Sequence, residues 1–363
     1  MSPIPAGITV SGTLQYQAWL DRVLPPAEVV RPGLWSIPTP FPGSPLRYVL
    51  SYAVEYGGGV ALVDTGWPCE EAWDGLVAGL RGAGFDITDV KAVLITHGHG
   101  DHKGLAKRIR EHTGAWVAMH EADVVTPDQF HDQVGFRQAG DEWLRLRGGQ
   151  AADLRAVHER RNEVAPDSFD EFMLEPDRLL TDGERPLGPG TSLVSVWTPG
   201  HTPGHVCFAD RDRGVLLTGD HILPRITPSI SPSPFETGDV LGQYLGSLAA
   251  TPEMPGAEVL PAHEYRFIGL AERARGIRKH HENRLAEVMT ALQSQAGSTT
   301  VQVTEALQWS RPWAQMQGLQ RRFAIGEAYA HLVHLERTGY AANKGIDVDA
   351  WHTLREGAPR LAR

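Results

Sequence analysis

Two hydrophobic periods alternate along the first part of the chain, and together they predict a layered α/β architecture. Short apolar runs rich in β-branched and aromatic side chains are typical of strands. We expect such strands at residues 34–37, 46–56, 60–63, 90–96 and 115–119. The apolar positions of residues 70–84 recur at three- and four-residue spacing, which predicts a helix. A second helix is expected at about residues 103–112, and the alternation of strands with helices favours sheets covered by helices.

The pattern changes after residue 120. Residues 121–178 scatter Leu, Trp and Phe among many charged side chains, which indicates an insertion of two or three helices. Strand-like runs then return, and a helix is expected at residues 239–250. The later strands are expected at residues 193–197, 206–209, 215–217 and 258–260.

The last part of the chain has a helical period. The expected helices cover residues 270–293, 299–307 and 315–338. Residues 341–351 are polar with a central glycine and are interpreted as a hairpin wing. We therefore divide the chain into a domain of residues 1–268, which carries the insertion, and a mainly helical domain of residues 269–363.

Charge is distributed unevenly between these two domains. The chain of 363 residues has a formal net charge of −10. Residues 269–363 hold 13 Lys and Arg against 9 Asp and Glu, whereas residues 1–268 hold 21 against 35, a balance of −14. An acidic first domain is a poor electrostatic match for nucleic acid, so nucleic acid is possible but not favoured as a partner.

Cysteine content and the N-terminal sequence set the expected compartment. The two cysteines, Cys69 and Cys207, cannot form a disulfide framework, which favours reduced thiols and a cytoplasmic location. The first 20 residues lack a basic start followed by an apolar core, so no signal peptide is expected. No apolar run approaches the ~20 residues that a membrane helix needs, so no membrane association is expected.

The densest group of polar side chains follows the expected strand at residues 90–96. His97, His99, Asp101 and His102 fall within six residues and are separated by glycines. Imidazole and carboxylate groups are rarely buried unless they are paired or bind metal, so a metal site is favoured over a solvated polar loop.

Single polar residues follow three other expected strands. His201 lies in TPGHTPGH, Asp220 follows LLTG, and His263 follows LPA. A site for two metal ions needs about seven or eight ligands, often with a bridging carboxylate. The four residues of the first loop and these three supply seven.

In this order, HGHGDH, TPGHTPGH, LLTGD and LPAH resemble the motifs of the metallo-β-lactamase superfamily, and VDTG at residues 63–66 resembles its first motif. The resemblance covers about residues 34–268. It implies an αββα sandwich with a dinuclear metal site at one edge. The zinc β-lactamases of this family use a cysteine in the second metal site, and this chain has none there. That departure favours the glyoxalase-like hydrolases, lactonases and nucleases over antibiotic hydrolysis.

The resemblance also implies a role for each polar residue. The ligands would be His97, His99 and His201 for one metal, and Asp101, His102 and His263 for the other. Asp220 would bridge the two metals, and Asp64 would orient the ligand loop from outside the ligand set. Nitrogen and oxygen ligands favour Zn²⁺ for both divalent ions, with Mn²⁺ or Fe as alternatives.

Two ions roughly 3.5–4 Å apart share a water and lower its pKa toward ~7, which gives hydroxide at neutral pH. The bridging hydroxide attacks a carbonyl or phosphoryl centre, and Asp101 is a candidate proton acceptor as well as a ligand. Five further residues are weaker candidates. His205 is interpreted as either a hydrogen-bond partner of the ligands or a structural residue. The candidates for substrate binding are His221, Arg225, Tyr265 and Arg266.

The tail resembles the small winged-helix-like domain that follows the lactamase fold in the β-lactamase-like endoribonuclease and in related bacterial acyl-carrier thioesterases. A winged helix suggests DNA binding. With a balance of only +4, we favour a cap or dimer element instead, and a homodimer is expected from the apolar tail helices.

Several functions remain open at this point. We favour a metal-dependent hydrolase of a small ester or thioester, because the domain is acidic and the insertion suits a roofed cleft. The main alternative is an endoribonuclease. A lactonase, a β-lactamase and a mononuclear persulfide dioxygenase are less favoured. A non-catalytic nucleic-acid-binding protein is disfavoured by the complete set of seven ligands.

Overall fold

The computed structural model describes residues 4–124, 133–150, 174–251, 258–359 and 361. The strands in these ranges are β1 (Thr9–Val10), β2 (Glu28–Arg31), β3 (Leu34–Phe41), β4 (Arg47–Tyr56), β5 (Gly59–Val63), β6 (Val90–Leu94), β7 (Trp116–His120), β8 (Arg178–Leu180), β9 (Leu193–Trp197), β10 (Val206–Asp210), β11 (Val215–Gly219), β12 (Glu258–Pro261), β13 (Phe267–Ile268), β14 (Ala341–Asn343) and β15 (Trp351–Thr353).

Most of these strands form two sheets. One sheet has the order β2-β3-β4-β5-β6-β7-β8, and the other has the order β1-β13-β12-β11-β10-β9. The expected strands at residues 46–56 and 60–63 form a hairpin around the glycines at residues 57–59, because β4 and β5 pair antiparallel. From β5 to β8 the pairing is parallel, and so is the pair β11–β12. The carboxyl ends of these parallel neighbours therefore lie at a common edge of each sheet.

A core lies between the two sheets. It contains alternate residues of both sheets, including Leu50, Leu94, Phe208 and Leu217, all of which are buried. A second core joins the other face of the seven-stranded sheet to two helices, Glu70–Gly82 and Ala106–Thr113. The sequence spacing explains this, because the apolar stripe of the first helix, including Leu76 and Leu80, is fully buried there.

The remaining α-helices of the described ranges are Thr13–Asp21, Gly100–Lys103, Gln133–Leu146, Val240–Ala250, Leu270–Ser294, Thr300–Ala306 and Leu319–Arg337. Short 3₁₀ helices cover Ile87–Asp89, Glu121–Asp123 and Trp313–Gln315. Within the described residues, no helix is both long and apolar enough to cross a membrane.

The predicted fold class is confirmed as a mixed α/β fold with a helical C-terminal region. The predicted hairpin after the last long helix is present, since β14 and β15 pair antiparallel. Its identification as the wing of a winged helix stays a prediction. Of the predicted helical insertion at residues 121–178, the structure describes residues 121–124, 133–150 and 174–178, which include the helix Gln133–Leu146, and the rest lies outside the described residues.

The chain forms two compact units. The first contains Met1–Val125, Asp167–Pro228 and Ala250–Ala274, and the second contains Thr126–Pro166, Ser229–Ala249 and Arg275–Arg363. All residues of the predicted metal site belong to the first unit. The division into functional domains at residue 268 stays a prediction.

Candidate metal centre

Polar residues follow the carboxyl ends of six strands of the first unit. Asp64 follows β5, residues 97–102 follow β6, and the 3₁₀ turn that ends at Asp123 follows β7. From the other sheet, His201 follows β9, Asp220 follows β11, and His263 follows β12. The structure thus brings all seven predicted ligands to one place, as the strand-end pattern predicted.

The segment from His97 to His102 differs from the predicted loop in one respect. Gly100–Lys103 forms a short helix, and a second helix begins only at Ala106. The helix predicted at about residues 103–112 is present as Ala106–Thr113, and the short helix Gly100–Lys103 before it was not predicted. The helical turn starts earlier because His99 is extended, with φ of −69° and ψ of 151°, and its carbonyl accepts hydrogen bonds from the amides of His102 and Lys103.

The first group of candidate ligands consists of three histidines. His97 Nε2 lies 2.9 Å from His99 Nδ1, and His201 Nε2 lies 3.1 Å from the same nitrogen. His99 is exposed whereas the other two are buried, so the group opens to solvent on one side. Burial, followed by the neighbouring histidines, holds the pKa of His97 well below its usual value, which favours the neutral form that binds metal.

The second group consists of Asp101, His102 and His263. Asp101 Oδ2 lies 3.7 Å from His102 Nε2 and 3.5 Å from His263 Nε2. These separations exceed a hydrogen bond, and they suit ligand atoms that surround a cation.

Asp220 lies between the two groups. Its Oδ1 is 3.6 Å from His102 Nε2 and 3.3 Å from His263 Nε2, while its Oδ2 is 3.7 Å from His201 Nε2. One carboxylate therefore presents one oxygen to each group, which is the arrangement that a bridging ligand requires.

Three buried atoms in this cluster have no hydrogen-bond partner: His102 Nε2, His263 Nε2 and Asp220 Oδ1. A buried polar atom without a partner costs about 1–3 kcal/mol, so three such atoms facing one point fit a bound cation. Burial alone lowers the pKa of His102, but three neighbouring carboxylates raise it to about 10. An electrostatic field that favours a proton at Nε2 also favours a metal ion there.

Hydrogen bonds at Nδ1 fix the orientation of three ligand rings. His102 Nδ1 lies 2.8 Å from Asp64 Oδ2, and His263 Nδ1 lies 3.1 Å from the Tyr48 carbonyl. The Thr96 hydroxyl donates to Asp64 Oδ2, which leaves its oxygen to accept from His97 Nδ1 at 3.0 Å. In each ring Nδ1 is therefore the donor, and the lone pair of Nε2 is available to a metal.

The side chain of His205 contacts the backbone of a candidate ligand, Asp220. The amide of Asp220 donates to His205 Nε2 at 3.2 Å, and His205 Nδ1 lies 2.9 Å from the Thr198 hydroxyl. The sequence alone left open whether His205 bonds a ligand residue or packs. In the structure it positions the backbone that carries Asp220.

Asp123 was missed by the sequence analysis. Its Oδ2 accepts from the Gly98 amide at 2.8 Å and from the Thr202 hydroxyl at 2.6 Å, and its Oδ1 accepts from the Gly204 amide at 2.6 Å. This buried carboxylate thus joins the two loops that carry His97, His99 and His201. No local motif marks it, because its partners lie 25 to 81 positions away in the sequence.

The four residues predicted to bind substrate lie outside the ligand groups. His221 Nε2 lies 2.9 Å from the Thr251 hydroxyl, and Arg225 pairs with Glu264 at 3.0 Å. Arg266 pairs with Glu258 and Glu28, so its charge is already neutralised inside the protein. Tyr265 is fully buried, and its hydroxyl has no hydrogen-bond partner. Substrate contact by these four residues stays a prediction.

A family model for the metallo-beta-lactamase superfamily matches residues 44–263 of this chain. Among solved structures, the chain is similar to metallo-beta-lactamase family protein TTHA1429 from Thermus thermophilus. The TM-score is 0.75 and the sequence identity 27%, over 90% of this chain and 100% of that one.

Two curated relatives are also similar to the chain. Lactamase-like protein adaB of Aspergillus niger is 26% identical over 69% of this chain and 62% of its own length. N-acyl homoserine lactonase AttM of Agrobacterium fabrum is 29% identical over 45% of this chain and 52% of its own length. The chain thus spans less than two thirds of the length of each.

Proposed function

The chain belongs to the metallo-beta-lactamase superfamily, whose members are metal-dependent hydrolases, and from this premise we propose that it hydrolyses an ester or thioester bond of a small substrate with two divalent metal ions. The observation that carries the proposal is the position of Asp220. Its two carboxylate oxygens face two separate groups of ligand atoms, at 3.3–3.7 Å from their nitrogens.

Each ligand group would hold one ion in this proposal. The first ion would be held by His97, His99 and His201, and the second by Asp101, His102 and His263. The Asp220 carboxylate, which lies within 3.7 Å of nitrogens in both groups, would serve both ions. Bound divalent ions supply Lewis acidity that lowers the pKa of water toward about 7 and polarises a carbonyl group. The set of nitrogen and oxygen ligands favours Zn²⁺ over Mn²⁺ or Fe.

The protein's own residues perform the remaining tasks. Hydrogen bonds at Nδ1 orient three histidine rings so that each Nε2 is available to a metal. The partners are Asp64 for His102, the Tyr48 carbonyl for His263, and Thr96 for His97. Asp101 is placed to accept a proton from the attacking water, because its partly exposed side chain is 3.5 Å from His263 Nε2.

Two features support an acyl substrate over RNA. The charge balance of −14 in residues 1–268 opposes association with a phosphate backbone. The lactonase AttM, to which part of the chain is similar, is named for a lactone, which is a cyclic ester. A lactone is therefore the second candidate substrate. The homodimer and the cytoplasmic location expected from the sequence stay predictions.

Metal analysis tests the proposal directly. Protein loaded with Zn²⁺ and freed of excess metal should contain two ions per chain, and His263→Ala should contain one. His112→Ala is the control, because His112 bonds the Arg108 carbonyl, packs against the Trp73 ring and lies outside the ligand groups. A single ion in the wild-type protein, or a metal content that His263→Ala leaves unchanged, would refute the dinuclear site.

Substrate class is tested with a panel of acyl thioesters, lactones and single-stranded RNA at matched metal content. We expect hydrolysis of an acyl substrate that is lost in Asp101→Ala. RNA cleavage that Asp101→Ala abolishes, without any acyl hydrolysis, would replace the proposal with an endoribonuclease.

A further inference from the structure

Two arginines act on the residues that follow His263, and a third acts on the neighbouring Tyr48. Arg225 and Arg273 exert their charge on Glu264 and Tyr265, and Arg225 pairs with Glu264. Arg47 exerts its charge on Tyr48. Arg47 and Arg225 belong to residues 1–268, whose balance is −14, so positive charges grouped there are unusual. A cationic patch beside a metal centre attracts an anionic group of a substrate.

Arg225 is held in place from three sides. Its guanidinium lies 4.4 Å from the centre of the Trp19 ring and 3.0 Å from Glu264 Oε1, and its side chain remains 25% exposed. Arg273 donates hydrogen bonds to the carbonyls of Leu223 and Ile226, which flank Arg225 in the chain. The Arg225 guanidinium is therefore rigid while one side of it stays open to solvent.

Arg47 approaches the same tryptophan. Its Nη2 donates to the Trp19 carbonyl at 3.0 Å, and its guanidinium carbon lies 5.9 Å from the centre of the Trp19 ring. Its Nη1 is buried and has no hydrogen-bond partner. Arg47 also has φ of 70°, in the left-handed region that is strained for a residue with a side chain and is frequent at functional sites.

Two more buried atoms near these arginines have no partner. They are Glu264 Oε2 and the Tyr265 hydroxyl, and both residues are at least nine-tenths buried. The Tyr265 ring lies 6.0 Å from the Trp19 ring, so its hydroxyl belongs to the same region as the arginines. Together, the unpartnered atoms comprise a guanidinium donor, a carboxylate acceptor and a hydroxyl, which is the set that a polar ligand would satisfy.

Tyr48 connects this region directly to the candidate metal ligands. Its carbonyl accepts from His263 Nδ1 at 3.1 Å, and its hydroxyl donates to the Glu264 carbonyl at 2.8 Å. Arg47 precedes Tyr48, and Glu264 and Tyr265 follow His263. The two arginines therefore adjoin or contact residues that are next to His263 in the chain or that orient its ring.

We propose that Arg47 and Arg225, with Trp19 and Tyr265, form a subsite for a carboxylate carried by the acyl substrate. This inference rests on the proposed function, because it defines the substrate of the same site. A carboxylate suits the subsite better than a phosphate dianion, since the unpartnered Glu264 Oε2 would repel a second negative charge. That oxygen instead fits an N–H or O–H of the substrate next to its carboxylate.

Binding is tested without hydrolysis. Calorimetric titration of the Zn²⁺-loaded protein compares hexanoylglycine with its uncharged amide, hexanoylglycinamide, and with inorganic phosphate. We expect the acid to bind about 10- to 100-fold more tightly than the amide, which is the contribution typical of hydrogen bonds to a charged group. Equal affinity for acid and amide overturns the subsite, and tighter binding of phosphate than of the acid also overturns it.

Variants then locate the effect. Arg47→Gln and Arg225→Gln should abolish the preference for the acid, and Arg47→Lys should retain part of it. Arg108→Gln is the matched control, because Arg108 also lies over a tryptophan, 4.1 Å from the Trp73 ring, and pairs with Glu70. A preference for the acid that persists in both Gln variants overturns the assignment. The acid and amide comparison in wild-type protein needs no variant to fold.

Hydrolysis separates this inference from the proposed function. The substrates are hexanoyl thioesters of thioglycolate and thioglycolamide, and glutaryl and glutaramoyl thioesters that place the charge on the acyl side. A higher kcat/KM for a charged member, lost in the Gln variants, supports both proposals. Charge-selective binding without hydrolysis of any of these thioesters or of the lactones in the substrate panel refutes the proposed function and leaves the subsite standing.

Discussion

Replacement of Asp123 by asparagine should weaken metal binding at the three-histidine group. Asp123 accepts three hydrogen bonds, from the amides of Gly98 and Gly204 and from the hydroxyl of Thr202. Gly98 lies between His97 and His99 in the chain, Thr202 follows His201, and Gly204 lies in the same loop as His201. Asparagine has the same shape, but it replaces one accepting oxygen with an amide group that donates.

The magnitude follows from counting donors. In the less costly orientation, the asparagine side-chain oxygen still accepts the hydrogen bonds from Gly98 and Thr202, and the asparagine NH₂ faces the Gly204 amide. The Gly204 N–H and the asparagine NH₂ then face each other as two donors without an acceptor, a mismatch that costs about 1–3 kcal/mol, and the other two bonds lose their charge assistance. We expect a total loss of about 2–4 kcal/mol of unfolding free energy, and a metal affinity about 10- to 100-fold lower.

The assay isolates one metal position. In a His263→Ala background, where the first group alone is intact, Zn²⁺ affinity is measured by competition with a chelator, and stability is measured by urea unfolding of the metal-free protein. Asp210→Asn is the matched control. Asp210 is also buried and accepts bonds from the Ser192 hydroxyl and from the amide and guanidinium of Arg213, away from the ligands.

The two variants should lose similar stability, and only Asp123→Asn should lose metal affinity. A drop in affinity of the same size in both variants would show that the effect is general destabilisation. Unchanged affinity in Asp123→Asn, despite its loss of stability, would refute the role of Asp123 in holding the ligand loops.

Two further predictions concern other parts of the chain. Asp64→Asn should weaken binding of the second ion about 10- to 100-fold in a chelator competition, because Asp64 Oδ2 orients His102 through Nδ1; unchanged affinity would contradict this. In the second unit, burial lowers the pKa of His331 from 6.5 to about 4, so the unfolded chain binds its proton first as pH falls. The free energy of unfolding should therefore fall as the pH is lowered from 6.5 to 4. Urea unfolding measured across this range should show that this free energy changes less steeply with pH in His331→Gln than in the wild-type protein, by up to about 1.4 kcal/mol per pH unit. Equal slopes in the two proteins would contradict the buried neutral state of His331.

The sequence predicted the longer elements well, and the physical reason is their periodicity. The helix Glu70–Gly82 and the strand β4 each contain enough residues for their apolar spacing to be recognised. The sequence analysis missed strands β2, β8 and β13, which have two to four residues and exist because neighbouring strands supply their hydrogen bonds. The helix Gly100–Lys103 was missed for a related reason, since one turn has no periodic pattern.

The candidate ligands were predictable because each follows a strand within a short motif. Their supporting contacts were not, because these join residues far apart in the sequence. The Tyr48 carbonyl that orients His263 lies 215 positions away from it, and Tyr48 reads in the sequence as an ordinary strand residue. The arginine subsite has the same origin, since Arg47 and Arg225 meet Trp19 only in the folded chain.

Asp123 also explains residues of the motifs that are not themselves ligands. A Cβ atom at Gly98 would lie 3.1 Å from the Asp123 carbonyl oxygen, and one at Gly204 would lie 2.7 Å from the Asp123 carboxyl carbon. Both glycines donate their amides to that carboxylate, and a side chain at Gly204 would occupy its place. Glycine therefore occurs at these two positions of HGHGDH and TPGHTPGH because each contacts Asp123, a residue outside both motifs. A motif that identifies ligands in this way also encodes how its loops are held together.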